Sequence, residues 1–252
     1  MYDARHSMDD LLALLPQAAA FSKPPISNFR VGAIARGKTG TLYYGTNLEF
    51  AGEALSFTVH AEQAAVVNAW MHGETAVDVV ATSAAPCGYC RQFLNELVTA
   101  ADLLIVMPGQ SRPLSELLPS SFGPRDLGVD GGLLQPEDHG LAVDEADAVA
   151  QAALRAANMS YAPYSKSYAG VALRTNDGRL FSGPYAENAA FNPSLSPLQA
   201  ALSQLNLAGG AWDDIGEVVL VAVDTLHDSA TRTVLGAIGS APLRVLRARN
   251  SA

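Results

Sequence analysis

The chain has 252 residues, of which 49% are hydrophobic and 16% are charged, and its formal net charge is −9. This composition is typical of a globular protein with a large core, in one large domain or two ordinary ones, and it excludes a disordered chain. No run of about 18 apolar residues occurs, so we expect no membrane span. Nucleic-acid binding is disfavoured, because a phosphate backbone needs clustered Lys and Arg. Such residues are few and scattered here, and their densest cluster, Arg244, Arg247 and Arg249, is interpreted as an ordinary solvated terminus.

The cellular compartment is suggested by the N-terminus and by the cysteines. The first residues lack a basic region followed by an apolar one, so we expect no secretory signal. The chain has two cysteines, Cys87 and Cys90, and their C-x-x-C spacing suits metal or redox chemistry better than a structural disulfide. A reducing, cytoplasmic environment is consistent with this usage.

The first half of the chain predicts alternating strands and helices. A short helix over 7–21 precedes a hairpin, whose turn is marked by Gly37 and Gly40. The pattern then predicts a helix from His60 to about Met71, a strand over 77–82, a helix that begins near Cys87 and a strand over 103–107. The run from Pro108 to about Gly140 is rich in Gly, Pro and Asp and is typical of a linker.

The second half repeats this order. One constant offset pairs identical residues in the two halves, among them Ser27 with Ser165, Gly32 with Gly170, Arg36 with Arg174, Gly40 with Gly178, Leu42 with Leu180, Gly45 with Gly183 and Glu49 with Glu187. A helix over 197–207 and strands over 218–223 and 243–246 follow in the second copy. The sequence therefore predicts an α/β protein of two tandem three-layer α/β/α units, each with a mixed sheet.

A group of metal ligands occurs in the first copy alone. His60-x-Glu62 is followed by Pro86-Cys87-x-x-Cys90, whereas the second copy has Ser196 opposite His60 and Leu198 opposite Glu62, and no cysteine follows Cys90. We therefore predict three parts: a catalytic domain over 1–108, with its N-terminal helix at 7–21; a linker over 109–140; and a degenerate, non-catalytic domain over 141–252.

One histidine and two cysteines suit tetrahedral zinc with its fourth position open to water. The helix N-termini expected at these residues favour thiolates, and Glu62 is then placed as a proton carrier. Each residue alone has an ordinary interpretation: a structural histidine, a carboxylate on a helix dipole, half of a zinc knuckle, or a redox pair. A closed structural zinc site needs a fourth ligand, which the usual spacings do not supply here. The combined pattern is typical of zinc-dependent nucleobase deaminases.

The chain resembles a cytidine deaminase of the larger, two-domain bacterial kind over nearly its whole length. The resemblance rests on four stretches: Asn28-Phe-Arg-Val-Gly-Ala, Gly45-Thr-Asn-Leu-Glu-Phe50, Thr58-Val-His-Ala-Glu-Gln63 and Pro86-Cys-Gly-Tyr-Cys-Arg-Gln-Phe93. It implies two deaminase-like units, one zinc ion per chain, a homodimer, and hydrolysis of cytidine and deoxycytidine to uridine and deoxyuridine in pyrimidine salvage. Family members commonly carry a longer helical segment before the first domain, whereas only about twenty residues precede the hairpin here.

The resemblance also implies residue roles. His60, Cys87 and Cys90 would bind the metal, and Glu62 would move protons between water, ring nitrogen 3 and the departing amine. Phe29, Asn47, Glu49 and Ala61 would bind the nucleoside, with Phe29 on the pyrimidine ring and Asn47 and Glu49 on the ribose. Glu49 faces Glu187 in the repeat, so part of its role is expected to be structural, whereas Asn47 faces Tyr185. Phe122 and Phe191 match positions that reach into the partner subunit's site.

Two alternatives stay open from the sequence. The first is a deaminase of another nucleobase or of a nucleotide, although a phosphate would want Arg or Lys where Asn47 and Glu49 stand. The second is a catalytically silent zinc-binding scaffold, against which the intact Glu62 argues.

Overall fold

The computed structural model describes residues 6–250. Residues 1–5 and 251–252 lie outside the described residues. The first of these stretches contains the start of the predicted catalytic domain and the N-terminus from which no secretory signal is expected, and the second contains the end of the predicted non-catalytic domain. The chain divides into two compact units. Unit 1 comprises the described residues up to Glu49, Thr58–Gln135 and Asn188–Pro193, and unit 2 comprises Phe50–Phe57, Pro136–Glu187 and the described residues from Ser194 onward. Each unit thus includes a short segment from the other half of the chain.

Unit 1 is built on a mixed sheet. Its described strands are β1 (Gly32–Gly37), β2 (Leu42–Thr46), β3 (Val77–Thr82), β4 (Leu104–Met107) and β5 (Gln110–Pro113). They lie in the order β2-β1-β3-β4-β5, with β3 and β4 parallel and the other neighbouring pairs antiparallel. Its helices are α1 (Met8–Ala20), α2 (Ala61–Met71), α3 (Gly88–Leu94) and α4 (Leu114–Leu117).

The sheet of unit 1 is covered on both faces. Leu11 and Leu15 of α1 pack in one cluster with Ile34, Val79 and Val106 from three adjacent strands. Because side chains alternate along a strand, the residues next to these point to the opposite face, where α2 packs on β1 and β2. The two buried faces give this unit three layers.

Unit 2 repeats the arrangement. Its sheet has the order β10-β9-β7-β8, with β9 and β10 parallel, and β6 pairs with β11 in a separate ladder. The strands are β6 (Leu141–Ala142), β7 (Ala169–Thr175), β8 (Leu180–Pro184), β9 (Ile215–Ala222), β10 (Leu243–Arg247) and β11 (Arg249–Asn250). The helices are α5 (Ala148–Asn158), α6 (Pro197–Leu207) and α7 (Asp228–Ile238). The prediction of two tandem α/β units with mixed sheets is confirmed.

The predicted linker contains regular structure. It supplies β5, α4 and a 3₁₀ helix at Pro124–Leu127, and unit 1 continues through it to Gln135. Further 3₁₀ helices lie at Leu55–Phe57, Ala100–Asp102 and Trp212–Asp214. None of the helices described is both long and apolar enough to cross a membrane.

Two glycines paired by the repeat let a helix lie directly against a strand. A Cβ on Gly45 of β2 would lie 2.2 Å from the Ala61 carbonyl oxygen and from the Ala65 nitrogen. A Cβ on Gly183 of β8 would lie 2.3 Å from the nitrogen of Ala201 in α6. Gly45 therefore fixes how closely the first turn of α2 approaches the sheet.

The arginines near the C-terminus form ion pairs within unit 2. Arg244 contacts Asp147 and Glu217, at 2.9 and 2.7 Å. Two further pairs join Arg247 to Asp228 and Arg249 to Asp144. The positive charge of this cluster is therefore matched locally by carboxylates.

Candidate metal centre and active site

Two helix starts bring the metal-ligand motif together. His60 is the N-cap of α2 and Cys87 is the N-cap of α3, and both have extended backbone angles. Pro86 stands just before this cap, and Cys90 lies one turn into α3. Exposed N–H groups at a helix N-terminus favour negative charge, so this position suits cysteine thiolates.

The three ligand atoms have the spacing of a tetrahedral site. His60 Nδ1 lies 3.7 Å from the sulfur of Cys87 and 3.3 Å from that of Cys90, and the two sulfurs are 3.6 Å apart. Standard zinc bond lengths at tetrahedral angles require about 3.6 Å between nitrogen and sulfur and about 3.8 Å between sulfurs. Within residues 6–250, this is the one cluster of three or more His, Cys, Asp or Glu able to hold a metal. The donor set therefore fits zinc.

Glu62 lies beside this cluster and is buried. Its side chain is 4% exposed, and its Oε2 accepts a hydrogen bond from the Cys90 thiol at 3.2 Å. Burial raises the pKa of the Glu62 carboxyl, because the charged form is desolvated. A carboxyl positioned beside a metal-bound water can serve as a general acid and base.

The two thiols differ in exposure and acidity. Cys87 is exposed, and hydrogen bonds with Cys90 and His60 lower the pKa of its thiol to about 3. The pKa of Cys90 is raised by its hydrogen bond with Cys87, by burial and by the nearby Glu62 charge. The site therefore opens to solvent beside Cys87 and is closed beside Cys90.

Two motif residues to which the sequence assigned no role support His60. The Tyr89 ring stacks on the His60 imidazole, with ring centroids 4.9 Å apart and planes at 23°. Gln63 Oε1 accepts a hydrogen bond from the His60 main-chain nitrogen at 3.1 Å. The sequence could have indicated a role for both residues, because each lies inside one of the two stretches that carry the metal ligands. Arg91 donates instead to the carbonyl oxygens of Pro86 and Leu117, at 2.8 and 2.9 Å.

Asn47 holds the loop that precedes β1. Its Oδ1 accepts hydrogen bonds from Ser22 Oγ at 2.5 Å and from the Val31 nitrogen at 2.9 Å. Its Nδ2 donates to the carbonyl oxygen of Phe29 at 2.9 Å. The side chain predicted to contact ribose thus also fixes the backbone of the residue predicted to contact the base.

Glu49 binds the same loop. Its carboxylate accepts from the main-chain nitrogens of Ile26 and Ser27, both at 2.9 Å. Burial acts to raise its pKa, but these bonds and that from the Ser27 hydroxyl outweigh burial, and the pKa is lowered. Glu187 accepts in the same way from Tyr164 and Ser165, at 2.8 and 3.1 Å. This shared structural contact explains why both halves carry a glutamate here.

The three aromatic residues that the sequence singled out are exposed. Phe29, Phe122 and Phe191 are 60%, 46% and 66% exposed, whereas Ala61 is buried at the start of α2. Gln92 of α3 donates to the Phe122 carbonyl oxygen at 2.7 Å, and its own carbonyl oxygen accepts from Asn188 at 3.0 Å. Both Phe122 and the segment that carries Phe191 are therefore attached to α3. Their action across a subunit boundary stays a prediction.

The helix starts of unit 2 carry different chemistry. Ser196 is the N-cap of α6, in the place that His60 has before α2, and its side chain accepts from the Gln199 nitrogen. Leu198, fully buried, stands where α2 has Glu62. At the start of α7, His227 takes the N-cap position that Cys87 has in α3.

Aromatic side chains fill the corresponding region of unit 2. Tyr185, in the place of Asn47, packs against His227 with ring centroids 4.4 Å apart at 61°. A His227 ring nitrogen lies 3.0 Å from the carbonyl oxygen of Ser167. Burial lowers the pKa of His227, because the charged imidazolium is desolvated. In unit 2, the packed rings of Tyr185 and His227 thus occupy the region that corresponds to the metal cluster of unit 1.

Comparisons with known proteins identify the family. Two family models match in tandem, at residues 6–107 and 114–233, and both describe a cytidine and deoxycytidylate deaminase zinc-binding region. A cytidine deaminase of Photobacterium profundum is 52% identical over 231 residues, which cover 90% of this chain and 78% of that protein. The chain belongs to the cytidine deaminase family. The cytidine deaminase of Cronobacter sakazakii is 49% identical over 94% of the chain and 83% of its own length.

A solved structure is also similar to this chain. The cytidine deaminase of Mycobacterium tuberculosis shares 32% sequence identity, covers 47% of this chain and 98% of its own, and has a TM-score of 0.42. The sequence-based prediction of the family is confirmed, as is the prediction of a zinc enzyme, because zinc-binding family models and the His-Cys-Cys cluster agree.

Proposed function

We propose that this protein hydrolyses the exocyclic amine of cytidine and deoxycytidine, giving uridine or deoxyuridine and ammonia. One observation carries the proposal: in a member of the cytidine deaminase family, the ligand atoms of His60, Cys87 and Cys90 converge beside the buried carboxyl of Glu62. Release of a free nucleoside product places the reaction in pyrimidine salvage.

Each residue of the cluster has a separate task. His60, Cys87 and Cys90 would hold one zinc ion per chain, which would supply a Lewis acid that lowers the pKa of a water molecule. Glu62 would accept one proton from the attacking water and deliver it to ring nitrogen 3, while the hydroxide that remains adds to carbon 4. The same carboxylate would then take the proton of the new hydroxyl group on carbon 4 and deliver it to the amine, which leaves as ammonia when the carbon–nitrogen bond breaks. The burial of Glu62 beside the ligand cluster places its carboxyl where it can act on the attacking water and on the base.

The loop before β1 forms the nucleoside site. Phe29 packs on the pyrimidine ring, Ala61 lines the site at the start of α2, and Asn47 and Glu49 bind the ribose hydroxyls. The hydrogen bonds of Asn47 and Glu49 to the loop fix these side chains before substrate arrives, which reduces the entropic cost of binding. The lowered pKa of Glu49 keeps a negative charge at the sugar, which would repel a phosphate.

The active form is a cytoplasmic homodimer, in which Phe122 and Phe191 of one subunit reach the site of the other. Both side chains are exposed, at 46% and 66%, so they are accessible to a partner subunit. Analytical ultracentrifugation of the active protein tests it, and a fully active monomer contradicts it.

The proposed activity is tested by ultraviolet absorbance with zinc-replete protein. Cytidine is expected to be consumed with ammonia release, whereas cytidylate and adenosine, run in parallel, are expected to react far more slowly. Faster turnover of cytidylate would identify a nucleotide deaminase. Zinc binding without any ammonia release would identify the scaffold alternative.

Replacing the proton carrier separates chemistry from metal binding. The variant Glu62→Gln keeps the volume of the side chain but carries no proton, so kcat is expected to fall by about 10² to 10⁴ or more while zinc content stays normal. Metal analysis and steady-state kinetics measure the two effects. Cys87→Ala is the matched comparison, since it is expected to deplete zinc, and a Glu62→Gln variant that keeps most of its turnover would contradict the assignment.

A further inference from the structure

A glutamine occupies the third position both of α2 in unit 1 and of the equivalent helix, α6, in unit 2. Gln63 of α2 and Gln199 of α6 are 0% and 8% exposed, and each side-chain oxygen accepts a hydrogen bond from the main-chain nitrogen of its helix N-cap. In α2 this N-cap is His60, and in α6 it is Ser196. The same contact thus holds a metal ligand in one unit and a capping serine in the other.

The amide nitrogen of each glutamine binds a segment that comes from the other half of the chain. Gln63 Nε2 donates to the carbonyl oxygen of Pro193 at 2.9 Å, within unit 1. Gln199 Nε2 donates to the carbonyl oxygen of Phe57, within unit 2. Pro193 lies three residues before Ser196, the N-cap of α6, and Phe57 lies three residues before His60, the N-cap of α2. The two glutamines therefore make equivalent bonds to the exchanged segments.

The segment Asn188–Pro193 is also attached to α3. Asn188 Nδ2 donates to the Gln92 carbonyl oxygen at 3.0 Å, and the Ala189 nitrogen donates to the buried Glu96 carboxylate at 2.9 Å. At its other end, Pro193 accepts from Gln63 of α2. The segment therefore joins the helix that follows His60 to the helix that carries Cys90.

Both polar atoms of the Gln63 amide form hydrogen bonds beside the metal cluster. Its Oε1 accepts from the His60 main-chain nitrogen, and its Nε2 donates to the Pro193 carbonyl oxygen. The Tyr89 ring stacks on the His60 imidazole, so Gln63 fixes the backbone of this ligand while Tyr89 covers one face of its ring. Contacts of this kind around a metal ligand commonly change metal affinity by about 10- to 100-fold.

We propose that Gln63 is the positioning residue for His60 and that segment Asn188–Pro193, acting through Gln63, slows the loss of zinc from the cluster. This inference rests on the proposed zinc site. The second half of the chain lacks metal ligands of its own. Under this proposal it contributes to zinc retention through the six residues Asn188–Pro193, which belong to unit 1.

The release of zinc from the purified, zinc-loaded enzyme to a colorimetric chelator tests the proposal. Gln63→Met keeps the side-chain volume and removes all its hydrogen bonds, so zinc release is expected to accelerate about 10-fold or more. Gln199→Met is the matched control: it makes the same change in α6, and we expect wild-type zinc release with a comparable loss of thermal stability. Release from Gln63→Met at the wild-type rate overturns the proposal, as does equal acceleration in Gln199→Met.

A second variant tests the route through the segment and serves if Gln63→Met does not fold. Asn188→Ala removes the anchor on α3 without altering α2, and a smaller acceleration of zinc release is expected. In the double variant, release is expected to be no faster than in Gln63→Met alone, and additive effects would overturn the route through Gln63. A wild-type enzyme that binds no zinc would contradict the proposed function itself, whereas unaltered zinc release from these variants contradicts this inference alone.

Discussion

Glu49 and Glu187 make the same structural contact in the two copies, and for Glu49 we propose an additional role in nucleoside binding. Each carboxylate accepts two main-chain N–H groups from the loop before the first strand of its sheet. In unit 1 this loop carries the exposed Phe29, whereas the equivalent position in unit 2 is Ser167, which is buried. The structural contact accounts for the glutamate that both copies keep, and nucleoside binding is the role assigned to Glu49 alone.

Alanine substitutions at the two positions separate these roles. Glu49→Ala and Glu187→Ala each leave two loop N–H groups without their acceptor, so both are expected to lower the free energy of unfolding by about 1–3 kcal/mol. Urea unfolding measures this effect. Steady-state kinetics should show a raised KM for cytidine in Glu49→Ala and a near wild-type KM in Glu187→Ala; equal KM values in the two variants would contradict the nucleoside-binding role.

The metal cluster could be predicted from the sequence because its chemistry lies in side chains at a fixed spacing. His60, Cys87 and Cys90 meet as their helix-start positions predict, and Glu62 lies beside them. The loop contacts of Asn47 could not be predicted, because its partners include main-chain groups of Phe29 and Val31, which no side-chain pattern records. For Glu49, the repeat predicts a partly structural role, because Glu187 occupies the equivalent position in the second copy.

At the scale of elements, the position of α2 depends on a residue outside it. Gly45 of β2 lies against Ala61 and Ala65, so the first turn of α2 sits directly on the strand. His60 and Glu62 flank Ala61, and a small shift of this turn would displace both. Gly183 makes the same approach to α6, where no reacting group follows.

Adding one methyl group at each glycine tests this dependence. Gly45→Ala and Gly183→Ala are both expected to destabilise the protein by about 1–3 kcal/mol, because the helix must move away from the strand. Gly45→Ala should also lower kcat by about 10²-fold, since a displacement of about 1 Å at reacting groups has that effect. Thermal unfolding and kinetics measure the two quantities. Equal kcat values in the folded variants would show that the helix start tolerates the shift.

The elements with clear periodicity were predictable, and those set by tertiary contacts were not. The hairpins, α2, α6 and the apolar strands β3 and β9 follow from alternation and helical spacing. Strand β5 was assigned to a linker, because all four of its residues are exposed and it ends in Pro113. The exchanged segments Phe50–Phe57 and Asn188–Pro193 were also missed, because their glutamine partners bind main-chain carbonyl oxygens.

At the scale of the whole molecule, the metal cluster belongs to one of two compact units. Zinc that binds the folded state stabilises it by about 2.7–4.1 kcal/mol when free zinc is 100 to 1,000 times its dissociation constant. Removal of zinc with a chelator is therefore expected to lower the stability of unit 1, where α2 and α3 hold the ligands. Hydrogen exchange with and without chelator should show faster exchange in these helices than in α6 and α7. Equal acceleration in all four helices would contradict a site confined to unit 1.

The packing of Tyr185 against His227 has an evolutionary consequence for the second copy. A histidine at position 196 would remove the serine cap of α6. At the start of α7 the second ligand would also be missing, because His227 stands where α3 has Cys87. Several simultaneous changes would be needed before any of them brought a catalytic gain, while each alone would disturb a filled core. Introducing the metal ligands into this half is therefore expected to lower its stability at each step, because every change replaces a side chain that already fills a structural role.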